Sequence, residues 1–273
     1  MSNLPGFLRA IATILIGLWM LLGWIIIYIL QSITQLAAFC FTTPTQRQDM
    51  CGHIYRKISF LQMDVLNPLW RSTTLKPFPK VKAGEKLIVM MNHLSNADPW
   101  IMIRPLLPMD CKWICKGSLL KIPFGGWGLA NNGDLAIKFT KEKGGWGTEK
   151  GSVSQLMQDS RALLRRGQPI AVFPEGVRSP TPAGPLNEFK LGFFMLAVEE
   201  QATIVPVAIS GSESSWPKGD WKFDLATTFV SCGEPLSAVG HTPESLREKV
   251  VEIITEMREK HPDRVKARQA AGK

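Results

Sequence analysis

The chain has 273 residues, of which 45% are hydrophobic, and this composition excludes a disordered protein and allows one large domain with an attached segment. Its formal net charge of +9 indicates an anionic partner, such as an acidic lipid, a phosphorylated substrate or a nucleic acid, without choosing among them. The five cysteines are scattered along the chain, which is not the pattern of a disulfide framework and favours a reducing compartment.

The N-terminal segment, residues 1–46, is predicted to be a membrane anchor. No residue in 10–46 carries a charge, and residues 11–30 are almost entirely apolar. Twenty helical residues rise about 30 Å, which is the hydrocarbon thickness of a bilayer. One long tilted helix, or two shorter helices broken near Gln31 that enter and leave one leaflet, are both compatible with this pattern. A cleaved signal peptide is disfavoured, because its apolar core is usually shorter.

Basic residues follow the apolar run far more often than they precede it. Arg9 is the basic residue before the run, whereas Arg47, Arg56 and several further arginines and lysines come after it. By the positive-inside tendency, the large C-terminal part is expected in the cytoplasm, at the endoplasmic reticulum or at a bacterial inner membrane. The lysines near the anchor favour an anionic lipid surface, although an ordinary solvated face explains them as well.

Residues 47–85 are predicted to form a connecting helix, ending near residue 71, followed by a linker that contains Pro77 and Pro79. In residues 86–260, short apolar runs alternate with helical patterns. Strands are expected at 87–91, 112–115, 134–139, 170–173 and 204–209, and helices at 151–166 and 189–201. Because continuous apolar strands are typical of a sheet covered on both faces, the sequence predicts an α/β domain with a mostly parallel mixed sheet flanked by helices.

The C-terminal part is expected to add later strands and one closing helix. Residues 221–232 suggest strands, with an edge hairpin as one arrangement. Thr242 supplies an N-cap and Pro243 a first-turn proline for an amphipathic helix that follows. Residues 261–273 are polar, and we expect a frayed tail there.

Two groups of polar residues follow predicted strands. His93 and Asp98 come just after the strand at 87–91, and a turn there can fold the carboxylate onto the imidazole to form a general-base dyad. A histidine near a carboxylate is common by chance. However, Glu175, Gly176 and Arg178 follow the strand at 170–173, and the carboxyl ends of parallel strands meet at one sheet edge. The two loops are therefore expected to converge.

The sequence resembles the PlsC-type glycerolipid acyltransferases over residues 86–210. Residues 92–98, 173–179 and 204–207 are similar to the family's first, third and fourth blocks, in the same order and with comparable spacing. The resemblance implies a membrane-bound enzyme that moves a fatty acyl chain from acyl-CoA, or acyl carrier protein, to the hydroxyl of a lysophospholipid. Lysophosphatidic acid is the expected acceptor. No metal or other cofactor is expected, because a base, the thioester's own reactivity and a phosphate-binding cation suffice.

The resemblance also suggests roles for individual residues, and their chemistry agrees with these roles. His93 is expected to be the general base, since a neutral imidazole has a pKa of about 7, and Asp98 would fix its tautomer. The resemblance assigns Glu175, Gly176 and Arg178 to acceptor binding. The guanidinium of Arg178 matches a phosphate bidentately, and Gly176 permits close approach of the backbone. For Glu175, a structural partnership with a nearby cation is the alternative.

The sequence departs from the family in the second block. That block usually ends in an arginine that helps to hold the phosphate, and the equivalent residues 133–139 contain none. Lys138, Lys141 or Lys143 can supply the charge but not the bidentate fork, and Lys190 is a further phosphate candidate. Acylation of glycerol 3-phosphate or of another lysophospholipid therefore stays open, as does a non-catalytic lipid-binding protein. No nucleic-acid partner is expected, because no binding motif is present.

Overall fold

A computed structural model describes residues 4–142 and 145–271 of the chain. Its helices are α1 Gly6–Ala37, α2 Pro44–Phe60, α3 Asp98–Ile101, α4 Ile103–Leu106, α5 Gly125–Asn131, α6 Ser152–Arg165, α7 Gly192–Glu200, α8 Pro243–Glu259 and α9 Pro262–Ala271. Its strands are β1 Trp70–Lys76, β2 Leu87–Met91, β3 Lys112–Lys116, β4 Leu135–Ile137, β5 Phe139–Glu142, β6 Gly145–Thr148, β7 Ile170–Val172, β8 Thr203–Ser210, β9 Ala226–Cys232 and β10 Leu236–Ser237.

The main sheet has the strand order β1-β9-β8-β2-β7-β3-β4, with β10 beside β8. The strands β8, β2, β7, β3 and β4 run parallel to one another, whereas β9 is antiparallel to β8 and parallel to β1. The predicted α/β architecture, a mostly parallel mixed sheet flanked by helices, is thus confirmed. The carboxyl ends of the five parallel strands lie at one edge of the sheet, which we call the top edge.

Both faces of the central strand β2 are buried, which explains its uninterrupted apolar sequence. Leu87, Val89 and Met91 belong to a core cluster that also contains residues of α1, α3 and α4. Ile88 and Met90 point to the opposite cluster, which α6, α7 and α8 cover. Alternate side chains of a strand lie on opposite faces, so a strand between two helical layers needs apolar residues at every position.

The N-terminal segment forms one continuous helix of 32 residues, α1, and not two short helices. Within the described residues it is the helix with the length and composition of a membrane span. One face of α1 packs on the domain along nearly its whole length. Near its start, Nε of Arg9 donates to the carbonyl of Phe223, and near its end the side chain of Gln31 donates to Asn132 at 2.7 Å. The helix is therefore part of the packed domain.

The predictions for residues 47–85 and 221–232 differ from the structure. The connecting helix begins at Pro44, capped by Thr43, and ends at Phe60, with a π-helical turn at Leu61–Val65. Strand β1 lies across the end of the predicted helix and the start of the predicted linker, so the sheet begins before residue 86. Strand β1 pairs with β9, and β9 lies inside the sheet between β1 and β8. No edge hairpin forms in the described part of 221–232, because its strand pairs with distant segments.

The predicted frayed tail is wrong for the residues described there. Residues 262–271 form helix α9, and His261 and Arg264 are buried. The ring of His261 lies 2.7 Å from Oγ of Ser210 and 2.9 Å from Oγ of Ser231. These contacts join the start of α9 to the main sheet, and a polar composition alone does not reveal them.

Candidate active site

His93 and Asp98 lie in a tight turn between β2 and α3, at the top edge of the sheet. Nδ1 of His93 is 2.8 Å from Oδ2 of Asp98. The same oxygen accepts the backbone N–H groups of Leu94 at 2.7 Å and Ser95 at 2.8 Å. Because a fully buried carboxylate accepts three hydrogen bonds here, Nδ1 of the neutral ring carries the proton. Nε2 is left as the basic atom, and it has no partner among the described residues.

The imidazole is also held by its neighbours. The ring of Phe173, the residue after β7, stacks on it with centroids 4.1 Å apart and 20° between the planes. The side chain of Asn92 donates to the carbonyl of Ile209 and accepts its N–H, which ties the end of β2 to β8. Neither Asn92 nor Phe173 has a predicted role, since each lies in a matched block without an obvious reactive group. The side chain of His93 remains 18% exposed, so a substrate can reach it.

The buried carboxylate of Glu175 joins the loop after β2 to the loop after β7. Oε1 accepts the backbone N–H of His93 at 2.7 Å, and Oε2 accepts that of Asn187 at 3.2 Å. The residue is 2% exposed, and burial raises the pKa of its carboxyl, an effect that these two N–H groups partly offset. It forms no ion pair with a described cation, but its charge acts on the buried guanidinium of Arg258. Its position beneath His93 suits a residue that orients the base.

Arg178 lies next to the dyad. The N–H of the following residue, Ser179, donates to the carbonyl of His93 at 2.8 Å, which joins the loop after β7 to the loop after β2. The side chain of Arg178 is half-buried, and its guanidinium has no hydrogen-bond partner in the described part of the chain. Nζ of Lys218 donates to the carbonyl of Arg178 at 3.2 Å. This second cation was missed in the sequence, since it follows a different strand, β8.

Gly176 makes the backbone turn that precedes Arg178. Its φ of +71° lies in the left-handed region, which glycine adopts without strain, and its N–H donates to the carbonyl of Phe173. The N–H groups of Val177 and Arg178 have no acceptor among the residues with described positions. The loop thus offers two free N–H donors and a free guanidinium, and such a set of donors can bind an anionic group.

The lysines proposed to replace the missing arginine lie in different places. Lys138 follows β4, an edge strand three strands from β2, which corresponds to about 14 Å at the usual strand spacing. The structure therefore does not bring Lys138 to His93. Lys190 is exposed, but its N–H donates to the carbonyl of Pro174 at 2.8 Å, which places it beside the third block. The side chains of Lys141 and Lys143 lie outside the described residues.

Comparison with known proteins gives a consistent result. A family model described as Acyltransferase matches residues 72–210. The 1-acyl-sn-glycerol-3-phosphate acyltransferase of Saccharomyces cerevisiae is 28% identical over 182 residues, which are 64% of this chain and 57% of the relative. The enzyme of the same name from Pseudomonas aeruginosa is 27% identical over 161 residues, which are 59% of this chain and 58% of the relative. The alpha form from Homo sapiens is 30% identical over 163 residues, which are 60% of this chain and 54% of the relative.

The chain thus spans a little over half the length of these curated relatives. Among solved structures, it is similar to the 1-acyl-sn-glycerophosphate (LPA) acyltransferase PlsC from Thermotoga maritima, with a TM-score of 0.66 and 22% identity. The likeness covers 92% of this chain and 96% of that one, so it concerns the fold of nearly the whole molecule.

Proposed function

Because this chain belongs to the Acyltransferase family, we propose that it transfers a fatty acyl chain from a thioester donor, acyl-CoA or acyl carrier protein, to lysophosphatidic acid, giving phosphatidic acid. The observation that carries the proposal is the His93–Asp98 pair with a free Nε2, to whose loop the segment after Arg178 is joined by the bond from Ser179 to His93. The names of the similar curated proteins support lysophosphatidic acid as the acceptor.

The proposed reaction uses the substrate hydroxyl as the nucleophile. Nε2 of His93 removes the hydroxyl proton as the oxygen attacks the thioester carbonyl carbon, and a tetrahedral oxyanion forms. The buried Asp98 carboxylate stabilises the imidazolium that results. When the oxyanion collapses, the carbon–sulfur bond breaks, and the imidazolium returns its proton to the thiolate. The base is thereby regenerated, and ester and thiol leave.

The phosphate of the acceptor is proposed to bind at Arg178. The guanidinium can donate two parallel hydrogen bonds to phosphate oxygens, and the N–H groups of Val177 and Arg178 face no competing protein acceptor. Lys218, which donates to the carbonyl of Arg178, and Lys190, whose N–H donates to the carbonyl of Pro174, add positive charge to the same loop. These groups compensate for the missing arginine of the second block better than the remote Lys138 does.

Arg178→Ala should raise the KM for lysophosphatidic acid about 10- to 100-fold, because charge-assisted hydrogen bonds to the phosphate contribute about 1.5–3 kcal/mol. The KM for acyl-CoA should change little. Steady-state kinetics with each substrate varied in turn measure both values. Arg161→Ala is the matched control: Arg161 lies on α6 and forms ion pairs with Glu199 and Glu200 on α7, and its replacement removes the same charge. A larger effect on acyl-CoA would assign Arg178 to the donor's phosphates.

The acceptor itself is tested by an acyl-transfer assay in detergent or in vesicles, with labelled acyl-CoA and a panel of acceptors. The panel contains lysophosphatidic acid, glycerol 3-phosphate and lysophospholipids with larger headgroups. We expect phosphatidic acid as the main product. A clear preference for another member of the panel would contradict the proposed acceptor and leave the reaction type in place.

We further propose that the outer face of α1 contacts lipid. Apolar side chains at helical spacing are exposed along this face: Ile11, Leu15, Leu18, Leu22, Ile29 and Ile33. An apolar surface of this length is not stable in water, and the opposite face of α1 is already packed on the domain. Embedding α1 therefore brings the domain to the membrane surface, where a lysophospholipid hydroxyl is available.

Leu18→Asp should weaken binding to lipid vesicles at least about tenfold, because a carboxylate on the lipid-facing side costs more than 1.4 kcal/mol to bury. Val239→Asp provides the control, since Val239 is 61% exposed, close to the 59% of Leu18, but lies on a turn before α8. Flotation with anionic vesicles measures the bound fraction. Equal flotation of both variants would refute this membrane face.

A further inference from the structure

The chain's C-terminal segment contacts the loop that follows the third block. We call residues 180–187 the acceptor loop, because they follow Arg178 and Ser179 in the segment proposed to bind the acceptor. The guanidinium of Arg258, at the end of α8, donates to the carbonyl of Gly184. The guanidinium of Arg264, in α9, donates to the carbonyl of Pro182. The two arginines are only 2% and 8% exposed.

Both ends of the acceptor loop are attached to the dyad. At one end, the N–H of Ser179 donates to the carbonyl of His93. At the other end, the N–H of Asn187 donates to Glu175, whose other oxygen accepts the N–H of His93. A displacement of the loop therefore moves Arg178, which precedes Ser179, relative to the base.

The junction of α8 and α9, which carries the two arginines, is bonded to the main sheet. The hydroxyl of Ser210 donates its hydrogen bond to Oδ1 of Asp263 at 2.7 Å, so Oγ of Ser210 must accept the hydrogen bond that the Nδ1–H of His261 donates. Nε2 of the ring then accepts from Oγ of Ser231. Burial lowers the pKa of His261 to about 4, so the ring is neutral at neutral pH. Ser210 ends β8, next to β2, and thus the junction of α8 and α9 is fixed to the top edge.

Several nitrogens of these arginines lack partners. Nε and Nη1 of Arg258 and Nε of Arg264 are buried, with no hydrogen-bond acceptor among the described residues. Outside α9, the carboxylate closest to Arg264 is that of Glu213, whose Oε1 lies 3.9 Å from Nη2. Both guanidiniums are therefore incompletely hydrogen-bonded, with Asp263 and Glu213 near Arg264 and the charges of Glu259, Glu175 and Glu213 acting on Arg258.

We propose that Arg258 and Arg264 are positioning residues for the acceptor: they hold the acceptor loop against the top edge and so set the place of Arg178 beside His93. The inference rests on the proposed function, because the phosphate-bearing acceptor is the substrate that this loop meets. Neither arginine contacts the reacting atoms. Their removal should therefore affect acceptor binding first and donor binding little.

The test compares Arg264→Met, Arg264→Lys and Arg268→Met. Arg268 lies on the same helix, but it is exposed and bonds Glu259 instead of the acceptor loop. Arg264→Met should raise the acceptor KM about tenfold with an unchanged donor KM, since a charge-assisted bond to Pro182 is lost. Arg264→Lys keeps one donor and the charge, so it should restore most of the affinity. Arg268→Met should behave as wild type.

A second measurement does not depend on activity. Hydrogen–deuterium exchange of residues 180–187 should be faster in Arg264→Met than in wild type and unchanged in Arg268→Met. If Arg264→Met does not fold, Arg264→Lys and Arg258→Lys serve in its place, with a smaller rise of about two- to threefold in the acceptor KM. Unchanged exchange and unchanged acceptor KM in folded variants would overturn the proposal. Wild-type protein that acylates no acceptor, with loop exchange altered as expected, would instead contradict the proposed function alone.

Discussion

His93→Ala should lower the rate of phosphatidic acid formation by about 10²- to 10⁴-fold, which is the usual contribution of a general base. In the structure, Nε2 of His93 is the basic atom of the dyad with no protein partner. The fold should persist, because the contacts that join the two loops use the backbone of this residue. Its N–H donates to Glu175 and its carbonyl accepts from Ser179, and alanine keeps both.

The rate is measured as labelled phosphatidic acid formed from labelled acyl-CoA under saturating acceptor. His53→Ala is the matched control, since His53 is exposed on α2, away from the top edge. Circular dichroism should show the same helix content and a cooperative melting transition for both variants, with a lower melting temperature for His93→Ala because it loses the bond to Asp98 and the contact with Phe173. Equal product from wild type and His93→Ala with every acceptor would refute the general-base assignment.

The sequence was sufficient for the dyad because its geometry is local. His93 and Asp98 are five residues apart, and one turn between a buried strand and a helix start brings them together. The apolar run of β2 identifies the strand, and the proline after Asp98 marks the start of the helix. The convergence of the loops after β2 and β7 also follows from general topology, since parallel strands end at the same edge.

The sequence was not sufficient where position depends on the lateral order of strands. Lys138 does follow a parallel strand, as expected, so it lies at the top edge. However, β7 and β3 lie between β2 and β4, and no local pattern gives that order. Strand β1 was missed for a related reason, because its partner β9 is more than 150 residues away, as the bond from Thr228 to the carbonyl of Arg71 shows.

The C-terminal segment is the largest difference between expectation and structure. Polar residues 261–273 suggested a solvated tail, but His261 and Arg264 are buried there because each has a distant partner. The bond of Arg264 to the acceptor loop spans 82 residues, and that of Arg258, at the end of the predicted closing helix, spans 74. A buried arginine and an exposed one look the same in sequence, and burial of such a residue is tolerated only where polar partners exist.

Asp98→Asn should reduce turnover by about 10²- to 10⁴-fold and should also destabilise the fold. The amide oxygen can take the place of Oδ2 and accept the three hydrogen bonds, but it carries no charge to stabilise the imidazolium. The amide nitrogen then replaces Oδ1, which is buried with no partner in the described structure, and brings a donor with no acceptor. Neutral bonds in place of charged ones, together with this unsatisfied donor, should cost about 1–3 kcal/mol of unfolding free energy.

Urea unfolding in detergent measures the stability, and the acyl-transfer assay measures turnover. Asp159→Asn is the control, since Asp159 accepts an exposed bond from Gln155 on α6 and its neutralisation should change neither quantity. The comparison with His93→Ala separates the two roles of Asp98. If Asp98→Asn lost stability but kept most of its turnover, Asp98 would act only as the acceptor that closes the turn through the N–H groups of Leu94 and Ser95. The negative charge of Asp98 would then not be needed for His93 to act as the general base.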